Sequence, residues 1–141
     1  MSDGKPNPRL SEILEARAIM QAAIRKATEE SIGVFIGTTG LIPAGASFVT
    51  VTSDDANKSI SLPAGVVGQK IDILIGGTGC ELISAVAADK VNEVTVGATN
   101  ELALTAEALY TCKYTKSGFW IVTGETKLGA RIAALVPDAL A

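Results

Sequence analysis

The apolar period of this chain changes once, at Ile32-Gly33, and that change constrains the fold more than any other feature. Upstream, "AIMQAAIRKATEE" contains neither Gly nor Pro. Leu10, Ile13, Met20, Ile24 and Ala27 follow at spacings of three, seven, four and three residues, one stripe of an α-helix. Downstream, Gly, Thr and Val dominate and apolar residues alternate with polar ones, the period of a strand with one buried face. The sequence therefore predicts one amphipathic helix followed by a β domain.

The helix has a start signal, Asn7 as N-cap with Pro8 at the first helical position. Glu12 and Glu15 lie near the positive end of its dipole. It is expected to run from Arg9 to about Ser31, with Arg17 interrupting the apolar stripe and Leu14 and Ile19 flanking it. A helix of this length has few intramolecular partners in so small a chain. It serves either as an arm for self-assembly or docking, or as a cap on an open sheet face.

About eight short strands are expected after it, in "ASFVTVTS", "KSISL", "QKIDILI", "CELISAVA", "VNEVTV", "ELALT", "EALYTCKYT" and "GFWIVTG". Turn residues separate most of them. The predicted fold is mainly β: an antiparallel β-sandwich or barrel, jelly-roll-like, behind one N-terminal helix. The organisation reads as tail and helical arm over 1–31, β domain over 32–124, and apolar tail over 125–141.

The clearest hairpin is "LYTCKYTKSGFWIVTG", turning at Lys116-Ser117-Gly118. Its register decides which of Tyr110, Cys112 and Tyr114 comes near Trp120 or Val122. The chain has six aromatic residues, and four of them sit in this hairpin. Trp120, Tyr110 and Phe119 are therefore the expected core anchors. In the tail, Leu128, Ile132, Leu135 and Val136 are apolar, and residues 127–136 fit a short helix or a last strand equally well. Such a tail is expected to dock on its own domain or on a neighbour. The candidate contacts to other subunits or partners are Leu10, Ile13, Met20, Ile24, Leu128, Ile132 and Leu135.

Charge and composition exclude several classes. Fifteen acids outnumber twelve bases with no basic run, which argues against a nucleic-acid partner. No apolar segment reaches the length of a membrane span. "MSDGKPNPRLSE" lacks the order of a signal peptide, so assembly in a cytoplasm is expected. Hydrophobic residues make up 48% of the chain, which points to apolar surface hidden against other subunits. The absence of histidine removes Ser-His and Cys-His nucleophile pairs and every His-containing metal site. Cys80 and Cys112 pair if their strands are neighbours, whereas a reducing compartment favours two buried thiols.

Three motifs require weighing. "LIGGTGC", residues 74–80, has the glycines of a phosphate loop. It lacks the following Lys-Ser/Thr and the following helix, so it reads as a glycine turn in a hairpin joining 69–75 to 80–87. Asp54, Asp55 and Asn57 offer oxygen ligands to calcium, but the remaining EF-hand positions are missing, and a solvated turn is expected. Glu125 with Lys127, or Glu29 with Glu30, have nothing in the sequence to gather them in one cleft. No catalytic, metal or cofactor site is expected.

The order of turns and strands in "SISLPAGVVGQKIDILIGGTGCELI" and "ELALTAEALYTCKYTKSGFWIVTG" resembles the β modules of tailed-bacteriophage virion proteins: head decoration proteins, head fibres and tail-fibre segments. Ser117, Gly118, Trp120, Ile121 and Val122 match their closing pattern of a turn, a Trp and two apolar residues. The resemblance covers residues 46–124 and implies a virion structural protein, commonly trimeric, that binds the major capsid protein or another virion component. A capsid decoration (cement) protein or head fibre, non-enzymatic and located in the virion, is the resulting expectation. The alternatives are a receptor- or carbohydrate-binding fibre module and a small nucleotide-binding protein using the 76–79 turn.

Overall fold

In the computed structural model of the protein, the described residues are 13–19, the backbone of 29–34, 40–97 and 99–140. Residues 13–19 are helical, α1. The strands are β1 (Glu29–Val34), β2 (Gly40–Leu41), β3 (Phe48–Ser53), β4 (Ser59–Leu62), β5 (Lys70–Ile75) and β6 (Cys80–Ser84). They continue as β7 (Lys90–Val91), β8 (Val94–Thr95), β9 (Asn100–Leu104), β10 (Leu109–Lys116), β11 (Phe119–Glu125) and β12 (Asp138–Ala139). One sheet has the order β1-β3-β5-β10-β11-β7-β8 and the other β12-β9-β6-β4-β2. The chain is mainly β, and its two sheets pack as a sandwich rather than a closed barrel.

The antiparallel expectation holds only for part of the C-terminal half, where β7 still pairs with β11 in parallel. From β1 to β6 the chain alternates between the sheets, so each strand pairs in parallel with the strand two further on. Val49 stands opposite Ile73 in one sheet, and Ile60 opposite Leu82 in the other. The segments "TSDDANKS" and "GGTG" are therefore corners that carry the chain across the roughly 10 Å between sheets. They are not hairpin turns. Antiparallel pairing begins where β9 joins β6 and where β10 inserts between β5 and β11.

Other expectations are corrected locally. Strand β1 begins at Glu29, inside the range expected to be helical, because six residues of backbone pair with β3 there. "VNEVTV" is not one strand but a tight hairpin, β7 and β8, whose central Asn92 and Glu93 have φ of 49° and 74°. Two successive left-handed residues suit the right-handed twist of a two-residue hairpin. Residues 127–136 form neither helix nor strand. A turn closed by Thr126 N–H to Ala130 O leads to a single bridge between Glu125 and Arg131, and β12 follows at the edge of β9.

Alternation along the strands fills the space between the sheets. Val49, Val51, Ile71, Ile73 and Ile75 from one sheet meet Ile60, Leu62, Leu82, Leu102 and Leu104 from the other. Burying one such aliphatic side chain contributes about 1.5–3 kcal/mol. The β10–β11 register puts Tyr114 opposite Trp120 and Cys112 opposite Val122. The Tyr114 and Trp120 rings meet edge to face, with centroids 4.8 Å apart. Each buried polar tip has a partner: Tyr110 Oη accepts from Thr105 N–H at 2.7 Å, and Tyr114 Oη from Gly118 N–H at 2.6 Å. Trp120 Nε1 donates to the buried carboxylate of Asp89 at 3.3 Å, which also receives the Ser84 hydroxyl at 2.9 Å. Trp120 and Tyr110 are core anchors as expected, whereas Phe119 lies half-buried on the outer side of β11.

Candidate interaction surface

The glycine corner is built for close packing. A Cβ on Gly79 would stand 2.5 Å from the carbonyl oxygen of Leu104. Gly76 N–H is already donated to Val51 O, and Gly76 O receives Glu107 N–H. The shallow hollow at this corner, about 380 Å³, includes Glu107, whose carboxylate is a poor neighbour for phosphate. Glu107 pairs with Lys127 at 2.9 Å, which lowers the pKa of the carboxyl and raises that of the ammonium. Lys127 thus reaches Glu107 on the β9–β10 corner.

The acidic turn is satisfied from within. Asp55 Oδ1 accepts from Asn57 N–H at 2.9 Å, and Asp54 pairs with Lys58 at 3.2 Å. Among the described residues no group of three or more His, Cys, Asp and Glu is placed to hold a metal ion. Cys80 on β6 and Cys112 on β10 lie in different sheets as free, buried thiols. Burial pushes the Cys80 thiol up to about 12, with the Glu81 charge adding to it. Burial raises the Cys112 thiol as well, followed by the charge of Asp72.

The expected partner contacts separate into three groups. Leu10, Met20 and Ile24 lie outside the described residues. Ile13, Leu14 and Ile19 on α1 are 54%, 55% and 71% exposed, and every residue of 13–19 is exposed. Leu128 is exposed too, but Ile132 and Leu135 pack on the protein's own core. The tail is docked intramolecularly, held by Ile132 N–H to Gly124 O at 2.8 Å and by Asn92. The Asn92 carboxamide donates to Leu135 O at 2.8 Å and Val122 O at 3.0 Å, and accepts Val122 N–H at 2.8 Å.

The outer faces of the two sheets differ in charge. Residues 40–140 hold seven bases and ten acids, yet four of the seven bases share one end of the seven-stranded sheet. Lys70 stands directly opposite Lys113, which stands opposite half-exposed Ile121. Beyond them, Lys116 and Lys90 flank Phe119, with ammonium groups 4.2 and 5.4 Å from the ring centre. A shallow groove of about 400 Å³ runs beside Lys70 and Lys113, with Val67 on its wall.

On the five-stranded sheet the outward row runs Leu41, Ser61, Ile83, Glu101, Asp138, with Glu81 and Ala103 in the next row. Glu101, only 4% exposed, stands directly opposite the exposed Asp138. Burial, then the charges of Glu101 and Asp138, push the Glu81 carboxyl up to about 7. Among the described residues Glu81 Oε2 has no hydrogen-bond partner. Sequence reading did not bring these lysines and acids together. Only the cross-strand register does that.

No helix among the described residues is long and apolar enough to cross a membrane. No protein-family model, curated protein or solved structure matches the chain.

Proposed function

We propose that the protein is a non-enzymatic virion structural protein, a capsid decoration (cement) or head-fibre protein that self-assembles and binds the capsid surface. The observation that carries this reading is α1: all seven of its residues are exposed, Ile13, Leu14 and Ile19 among them. Apolar residues exposed on a helix call for a partner. The segment that resembles phage β modules, 46–124, supports the same reading. Its action is adhesion by buried area, multiplied over many copies on one particle. The partner is the major capsid protein or another virion component, the oligomer a trimer, and the place of action the virion after assembly in the host cytoplasm.

Mixing the purified chain with capsids that lack it tests the reading. Saturable binding by the full chain, weakened when residues 1–28 are removed, is expected. Capsids that take up no chain at any concentration would refute it. A carbohydrate-binding module would need exposed aromatic faces for stacking; Trp120, Tyr110 and Tyr114 are buried, Phe48 and Phe119 are half-buried, and the Phe119 ring is flanked by Lys90 and Lys116.

A further inference from the structure

The four lysines of the seven-stranded sheet form two pairs around an apolar centre on its outer face. Lys70 stands directly opposite Lys113, and Lys116 and Lys90 stand on either side of Phe119. Ile121, opposite Lys113 and half-exposed, lies between the pairs. Like charges at directly opposite positions are unfavourable within a sheet. Lys70 has partial relief from Asp72 at 3.7 Å, a carboxylate that also accepts the Thr111 hydroxyl at 2.7 Å. Lys90, Lys113 and Lys116 make no ion pair among the described residues. Beside the Lys70–Lys113 pair, the loop into β5 displays Val66 and Val67, both exposed. That loop is held by Gly68 N–H to Tyr114 O and by Tyr114 N–H to Gln69 O, each at 2.9 Å. The valines are thus fixed at the wall of the groove that Lys70 and Lys113 line.

We propose that this face docks a carboxylate-rich protein surface, the lysines pairing its acids while Ile121, Phe119 and the groove cover its apolar side chains. The docking rests on the virion reading for the identity of the partner, the outer capsid surface, and adds which side of the sandwich meets it. Charge complementarity selects the acids, and an apolar centre ringed by polar groups is the anatomy of a protein–protein contact. Nucleic acid fits less well. Outside the four lysines, residues 40–140 hold ten acids and three bases, which repel a long polyanion, and the patch holds no arginine. The Phe119 ring is flanked by two ammonium groups instead of lying open to a base. A second copy also fits less well, because on its five-stranded sheet Glu101 is buried and Glu81 Oε2 is inaccessible. Contacts between exposed charges make the docking sensitive to salt.

Binding of the full chain to capsids that lack it, and to a fluorescent oligoglutamate peptide, tests the proposal at low and high salt. The variants are Lys113→Glu within the patch and Lys127→Glu outside it, which change the net charge equally. Both side chains are exposed, and circular dichroism verifies the fold of each variant. Lys113→Glu is expected to weaken both bindings about tenfold or more, and Lys127→Glu to leave them within about twofold, as a contact local to the patch requires. A wild type that does not bind oligoglutamate at low salt, or two variants weakened alike, would overturn the docking. A single-stranded oligonucleotide bound more tightly than oligoglutamate, and lost in Lys113→Glu, would assign the patch to nucleic acid and overturn it too. So would self-association of the wild type, seen by sedimentation velocity, that Lys113→Glu abolishes. Capsids that take up the wild type and Lys113→Glu alike overturn the docking and leave the virion reading standing. A chain that binds oligoglutamate through Lys113 but ignores capsids overturns the virion reading alone.

Discussion

The carboxamide of Asn92 donates to the carbonyl of Leu135, 43 residues away in sequence, at 2.8 Å. The same side chain bridges both backbone groups of Val122, so one residue in the β7–β8 turn ties the C-terminal tail to the closing hairpin. Asn92→Gly preserves the left-handed turn while removing all three bonds. It is expected to destabilise the fold by about 1–3 kcal/mol. Hydrogen exchange should be accelerated more at Ile132, whose N–H bonds Gly124, than at Ile73 in the core. Unchanged exchange along the tail would remove Asn92 from that role.

The glycine corner yields a contrast within four residues. Gly79→Ala sets a Cβ 2.5 Å from the Leu104 carbonyl and is expected to cost about 1–3 kcal/mol. Gly77→Ala meets nothing within 4 Å and should change stability by less than about 0.5 kcal/mol. Chemical denaturation of the two variants gives the comparison. A nucleotide triphosphate should leave the melting temperature of the wild type unmoved, because no ligand-linked stabilisation is expected there.

How much of this was legible follows from what a strand pattern encodes. Alternation set Val49 and Val51 of β3 and Ile71, Ile73 and Ile75 of β5 apart from their neighbours, but it left to the register which of Tyr110, Cys112 and Tyr114 comes near Trp120 or Val122. It did not reveal that β3 and β5 pair in parallel, since a Gly-rich or Asp-rich segment suits a corner between sheets as well as a hairpin within one. Glu29 and Glu30 carry no strand signal of their own, and their pairing with Phe48 and Val49 is tertiary. The same limit hid the interaction surface. Lys70 and Lys113 are 43 positions apart, and only the β5–β10 register makes them neighbours.

Glu81 gives the fold a pH dependence whose sign is fixed. Its carboxyl is raised from 4.5 to about 7 in the folded protein, so the folded state binds the proton more tightly than the unfolded chain. The stabilisation is complete below pH 4.5 and is lost as pH rises toward 7. Glu81→Gln, which stays neutral, should therefore melt higher than the wild type at pH 8 and lose that advantage at pH 4. A wild-type and variant difference that is constant across this range would contradict the assignment.

Cys80 and Cys112 are expected to resist alkylation in the native protein at pH 8, because burial keeps both as thiols and shields them from reagent. Both should label rapidly in denaturant. Mass spectrometry before and after unfolding counts the adducts, and native labelling of Cys112 would contradict its position inside the sandwich.

The central claim, a self-assembling protein that adheres to a capsid, is tested most directly by electron cryomicroscopy of capsids incubated with a saturating concentration of the chain. The account predicts ordered density for the β sandwich at symmetry-defined positions on the outer surface, with α1 engaged at an interface. Bare capsids alongside free protein at saturation would contradict it.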